Sequence, residues 1–124
     1  MNRYLLDTNI LIYYFNGLIE DSKINEILKL SFNISIISKI EFLSWKNLKD
    51  DEILNIKAKK FISYANIYSL DETIANEAII FRQNYSLKTP DAIIAATAKV
   101  NNFILLTNDI KDFKKANIKI EIIK

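Results

Sequence analysis

Cysteine and histidine are both absent from the 124 residues, and there is one glycine, Gly17, and one proline, Pro90. Without cysteine there are no disulfides and no thiolate metal sites, so a reducing compartment is permitted and a cytoplasmic location is expected. Without histidine the commonest general base and the commonest transition-metal ligand are gone. Any catalysis must then come from carboxylates, hydroxyls, lysine, tyrosine, or a metal held by oxygen. Glycine and proline are too few for flexible joints, and neither repeats nor a low-complexity linker appear. Charge of one sign is also lacking: the net charge of +2 does not announce a nucleic-acid binder by itself. No apolar run is long enough to span a bilayer, and Arg3 and Asp7 interrupt the opening run, so no signal peptide is expected. What remains is a chain half hydrophobic, long enough for one compact domain over residues 1–124 with a core of its own.

The hydrophobic pattern divides this chain into short alternating elements. Tyr4 to Leu6 reads as a buried strand, followed by a helix from Thr8 to Phe15 that Asn16–Gly17 closes. Asp21 to Leu30 is a second helix with Ile24, Ile27 and Leu28 on one face. Asn33 to Ile37 is a second strand, and Ser38 opens a helix carrying Phe42, Leu43 and Trp45. Asp50 to Tyr64 has acids in its first turn and lysines later, as the helix dipole prefers. Asn66 to Leu70 is a third strand, and Asp71 caps the next helix. Thr89–Pro90 starts a helix, Asp91 to Val100, apolar nearly all round and therefore buried. Phe103 to Leu106 is a fourth strand. Ile118, Ile120 and Ile122 alternate with Lys119 and Glu121, as in a half-exposed edge strand. Strands and helices in this order predict an α/β fold with a mainly parallel sheet and helices on both faces.

Four acids fall at comparable places in that pattern. Asp7 ends the first strand, Glu41 and Asp91 lie near helix starts, and Asp109 follows the fourth strand. Strand C-termini and helix N-termini share one edge of a parallel sheet, and ligands of open α/β sheets bind at that edge. Carboxylates gathered there repel one another, and with no histidine they need a cation. Hard divalent ions suit such oxygen ligands, Mg²⁺ through a few carboxylates plus waters and substrate phosphates. A site of this kind activates water for phosphodiester hydrolysis. Each acid also has a purely structural reading. Asp7 can cap the first helix. Ser38 and Glu41 match a capping box. Thr89–Pro90–Asp91 matches a helix start, with Thr89 as the cap, and Asn108–Asp109 is ordinary turn chemistry. Position alone leaves both readings open.

At these residues the sequence resembles the PIN-domain family and, within it, the VapC-type toxins. Tyr4 to Ile12 (YLLDTNILI) is similar to the family's first motif, Ser38 to Leu43 (SKIEFL) to its second, Pro90 to Ala98 (PDAIIAATA) to its third and Leu106 to Phe113 (LTNDIKDF) to its fourth. The resemblance implies a three-layer fold with a parallel five-stranded sheet of order 3-2-1-4-5. It implies an endoribonuclease dependent on Mg²⁺ or Mn²⁺, blocked by a cognate antitoxin, and a homodimer. Asp7, Glu41 and Asp91 carry over as metal ligands and catalytic acids. Asp109 is favoured as the fourth, with Asp112 organising the turn before Phe113. Asn9 and Thr107 resemble the family's supporting polar residues. The bulky, apolar second motif departs from the pattern and leaves Glu41 the least secure of the first three acids. A nuclease of general RNA processing and an inactive PIN-like binding module are the alternatives. Lys39, Lys46, Lys88 and Lys111 lie near the motifs, where they are either phosphate contacts or solvated surface. Trp45 is either a stacking platform for a base or part of the core or a partner surface.

Overall fold

The computed structural model describes residues 2–108 and 110–124. The elements are β1 (Tyr4–Leu6), α1 (Thr8–Phe15), α2 (Lys23–Leu30), β2 (Asn33–Ser35), α3 (Ile36–Leu43), α4 (Glu52–Ser63), β3 (Asn66–Tyr68), α5 (Glu72–Tyr85), α6 (Thr89–Val100), β4 (Ile104–Thr107) and β5 (Ile120–Ile122). Short 3-10 turns lie at Lys46–Leu48 and Ile110–Asp112. No helix among the described residues is long and apolar enough to cross a membrane.

The five strands form a parallel sheet of order 3-2-1-4-5, as expected, but its middle is unusual. Backbone ladders join β3 to β2 and β1 to β4 to β5. Between β1 and β2, side chains bridge the gap. The Tyr4 N–H donates to Ser31 Oγ at 2.7 Å, and Asn33 Nδ2 donates to the Tyr4 carbonyl at 2.9 Å. Asn66 Nδ2 in turn donates to Asn33 Oδ1 at 3.1 Å, which extends the bridge to β3. Ser31 and Asn33 are buried, so these bonds satisfy groups that would otherwise be desolvated without partners.

Alternation along the strands makes two cores. Leu5 and Leu105 face α5 and α6, with Phe81, Ile94 and Phe113. Tyr4, Leu6, Ile34 and Leu106 face the other layer, with Ile10, Ile24, Phe42 and Ile62 from α1 to α4. The aromatic part of this second core gathers around Phe61, whose ring lies 5.1–5.9 Å from those of Phe32, Tyr14, Phe42 and Phe15. As its composition predicts, α6 is buried from Ala92 to Ala98.

Several boundaries differ from the sequence expectations. Asn33–Ile37 is a strand only to Ser35, and α3 begins at Ile36 because the Ser35 hydroxyl caps it, accepting the Ile37 N–H at 3.1 Å. Ser38 is therefore inside the helix, and the Ser38–Glu41 capping box does not form. Thr89 is the first helical residue of α6 and not its cap; the cap position belongs to Lys88, which has no side-chain acceptor. β5 is an edge strand, but Ile122 is exposed while Ile123 is 1% exposed, so the inward set is not a simple alternation through the strand. Asp71 caps α5 as expected, accepting the Ile74 N–H at 2.8 Å.

Candidate active site

The strand order reverses direction of growth between β1 and β4, and the sequence places Asp7 and Thr107 at the C-terminal ends of these two neighbours. Their side chains meet across that seam. Thr107 Oγ1 donates to Asp7 Oδ2 at 3.0 Å, and both residues are buried, Asp7 at 5% exposure. Asp7 stands at the N-cap position of α1 but makes no capping bond with its side chain. The helix-cap reading of Asp7 therefore fails: its carboxylate is turned to the sheet edge instead.

Burial there is costly for an anion. The Asp7 carboxyl is pushed up to about 6, chiefly by desolvation, with the charges of Asp91 and Glu41 adding to the rise. The Thr107 hydroxyl and the Thr8 backbone N–H act in the opposite direction. Asp91, in the first turn of α6, is also raised, first by burial, then by the charges of Asp112 and Glu41, against the opposing charge of Lys88. An acid in the first turn of a helix would ordinarily be favoured as the anion. Here burial and neighbouring acids outweigh the helix end.

Glu41 reaches this group from α3 and is held by another hydroxyl. Thr8 Oγ1 donates to Glu41 Oε1 at 2.7 Å and lies 2.9 Å from Ser38 Oγ. A hydroxyl has one proton, so with that proton on the carboxylate the Ser38 hydroxyl must supply the second contact. Thr8 and Ser38 are buried. Neither was singled out by the sequence as a supporting residue. The signal was present, since Thr8 follows Asp7 directly and Ser38 precedes Glu41 by three residues, but their contact spans 30 positions and needs the fold.

The structure thus brings Asp7, Glu41 and Asp91 within electrostatic reach of one another at one sheet edge, and Asp112 within reach of Asp91. Asp109 lies outside the described residues. Asp112 belongs to the acidic group, where its charge is the first of those acting on Asp91. Thr107 is bonded to Asp7, whereas Asn9 is exposed and its side chain has no hydrogen bond among the described residues. Lys88 and Lys111 line a cleft with Asp91 and Asp112. Lys39 lines a separate groove with Leu43, Lys59, Ile62 and Ile67. Lys46 lies in another groove, beside Trp45, whose ring packs partly buried against the second core.

Among the described residues no three acids are close enough together to enclose a metal by themselves. Nor is Asp7 or Asp91 within ion-pair distance of a lysine or arginine among those residues. Asn108 Oδ1, next to Thr107, is buried with no hydrogen-bond partner among the described residues. A buried carboxylate, Asp7, beside the half-buried Asp91 and the exposed Glu41, none of them in an ion pair among the described residues, offers oxygen donors that fit a hard divalent ion. Such an ion needs only one or two carboxylates when waters and phosphates complete its shell.

Comparison with known proteins agrees with this arrangement. The PIN-domain family model matches residues 4–119, and the chain belongs to the PIN-domain family. Its likeness within that family is to the VapC type. A chain in a toxin–antitoxin complex from Klebsiella pneumoniae is 33% identical, with 95% of each chain covered and a TM-score of 0.76. Chains in DNA-bound VapBC from Salmonella typhimurium and in promoter-bound VapBC2 from Rickettsia felis share the fold. Their TM-scores are both 0.83 with 98% of each chain covered, at 23% and 22% identity. No curated protein matches the sequence significantly.

Proposed function

We propose that this PIN domain is a metal-dependent endoribonuclease and the toxin of a toxin–antitoxin pair. Asp7, Glu41, Asp91 and Asp109 are its catalytic acids, and Mg²⁺ or Mn²⁺ is its ion. The observation that carries the reading is the buried Asp7 at the strand-order switch, raised chiefly by burial with Asp91 and Glu41 adding to it, and lacking a cationic partner among the described residues. When bound, a divalent ion there activates water and offsets the charge that builds up in an in-line displacement at phosphorus.

The chain's own residues set the frame for that chemistry. Asp7 and Asp91 would hold the ion, from a strand end and a helix start. Thr107 pins the Asp7 carboxylate, and Thr8 pins Glu41. Without histidine the metal-free route through the ribose 2′-hydroxyl has no general base of the usual kind. Cleavage by activated water leaves a 5′-phosphate and a 3′-hydroxyl. The toxin reading follows the 33% identical chain, whose structure is a toxin–antitoxin complex. The cation-flanked groove of Leu43, Ile62, Ala65 and Ile67 suits an amphipathic segment of a cognate antitoxin, and a homodimer is part of the same reading.

Total RNA incubated with Mn²⁺, with Mg²⁺ or with chelator, followed by mapping of the new ends, tests this. The wild type should cut only with metal, and Asp7→Asn should not cut at all. Cutting in chelator, or an unimpaired Asp7→Asn, would falsify it. A fold that binds RNA without cutting it under any metal would favour the binding-module alternative.

A further inference from the structure

The acids of the candidate active site do not stand alone at their end of the molecule. Asp91 and Asp112 line a cleft of about 170 Å³ together with Lys88, Lys111, Lys115 and the hydroxyl residues Tyr85 and Ser86. Three distant stretches build it: the loop after α5, the start of α6, and the segment from the 3-10 turn to Lys115. Lys115 was not a candidate from the sequence, because it lies outside the four motifs.

This cleft differs from the two basic grooves that hold the other lysines near the motifs, although a groove with Arg3 and Lys23 also contains an acid, Glu26. The grooves containing Lys39 and Lys59, and Lys46 and Lys49, have no acid in their lining. Here lysines and carboxylates line one small space together. Among the described residues Lys88 and Lys115 are in no ion pair, although Lys88 is near enough to act on Asp91 through its charge. A ligand placed there meets lysines and the acids in the same lining. Lys88 also stands at the N-terminus of the twelve-residue α6 with no side-chain cap, so the first turn's N–H groups add to the positive side. Lysine recognises phosphate as a point charge without reading a base.

Resting on the ribonuclease reading, we propose that this cleft is a phosphate subsite. In it Lys88, Lys111 and Lys115 hold the phosphodiester adjoining the scissile one in a single-stranded RNA. The acids would hold the ion that serves the reacting phosphate, and the lysines take its neighbour directly. Strand register, and with it the bond presented for cutting, is then set by a contact that reads no sequence.

The test is binding of a 5′-fluorescein single-stranded oligoribonucleotide, followed by anisotropy across a salt series with Mn²⁺ present. Asp7→Asn serves as the uncutting background. Adding Lys88→Ala and Lys115→Ala should weaken binding several-fold, alike for different sequences. The slope of log affinity against log salt should become shallower by about 0.7 for each phosphate that the variant no longer neutralises. These lysines are exposed, so the melting temperature should not move. Lys115→Ala alone should leave Mn²⁺ affinity measured without RNA unchanged, and Lys59→Ala on the separate groove should leave RNA binding as it was. If wild type cuts RNA while the double lysine variant binds with unaltered affinity and salt slope, the subsite is wrong and the nuclease reading stands. An equal loss on Lys59→Ala reduces the effect to general charge and also overturns it. If the protein neither cuts nor binds RNA, the ribonuclease reading fails and the subsite falls with it.

Discussion

At the scale of single residues, Asp7 combines two demands that pull against each other. Its position at a buried strand end makes it available to a ligand from a fixed direction, and the same burial makes its charge expensive. A carboxyl whose folded value is about 6 binds its proton more tightly than in the unfolded chain, where 3.8 applies. Its contribution to stability is therefore fully present below about pH 4 and lost as pH rises through about 6. Above that range the metal-free protein is weaker by about 3 kcal/mol on this account. Asp7→Asn removes the charge while keeping an oxygen for the Thr107 hydroxyl. Metal-free Asp7→Asn should therefore melt higher than wild type at pH 7, and the gap should close as pH falls towards about 4. Thermal melts of both proteins between about pH 4 and 8 check this, and a gap that does not depend on pH would count against a buried anion. Thr8 has a narrower role, fixing Glu41 through one hydroxyl. Thr8→Val should lower metal-dependent cleavage and weaken Mn²⁺ binding, and Thr8→Ser should restore both. Failure of serine to rescue would make Thr8 a packing residue only.

At the scale of elements, the seam between β1 and β2 is the least ordinary part of the sheet. Strands that lie side by side normally exchange backbone hydrogen bonds, but here Ser31 and Asn33 supply them from side chains. Asn33→Ala would leave the Tyr4 carbonyl without its Asn33 donor and cost about 1–3 kcal/mol. Because Tyr4 and Asp7 share β1 and its turn, that variant should also reduce cleavage more than its stability loss explains. Chemical denaturation and RNA cleavage measured on the same preparation separate the two effects. Asp71→Ala offers a contrast. It removes the cap of α5, far along the chain from the acids, and should cost about 1 kcal/mol with cleavage intact.

At the scale of the whole molecule, the sheet edge gathers acids that are in no ion pair among the described residues, so an ion held there, as proposed, would link its binding to folding. An ion that binds only the folded state stabilises it by about 2.7 kcal/mol at a hundred times its dissociation constant. Titrating Mn²⁺ into the wild type should raise the melting temperature progressively at neutral pH. The rise should disappear in Asp91→Asn, which removes one wall of the acid group without touching Asp7. A wild type whose melting temperature ignores Mn²⁺ and Mg²⁺ would leave the acids without a cation.

The amino-acid order alone determined the element types, the α/β class, the burial of α6 and the convergence of strand ends, because each follows from local periodicity and a rule of parallel sheets. Through its motifs it also singled out Asp7, Glu41 and Asp91. It misplaced the starts of α3 and α6, where Ser35 and Lys88 take the cap positions expected of Ser38 and Thr89. Cap choice depends on where the preceding strand or loop releases the chain, which is a tertiary matter. Only the folded structure decided that Thr8 holds Glu41, that Thr107 holds Asp7, that Asp112 acts on Asp91, and that Lys115 shares their cleft. Each of these is a meeting of side chains from different elements, and neither spacing nor residue type encodes the distance between them.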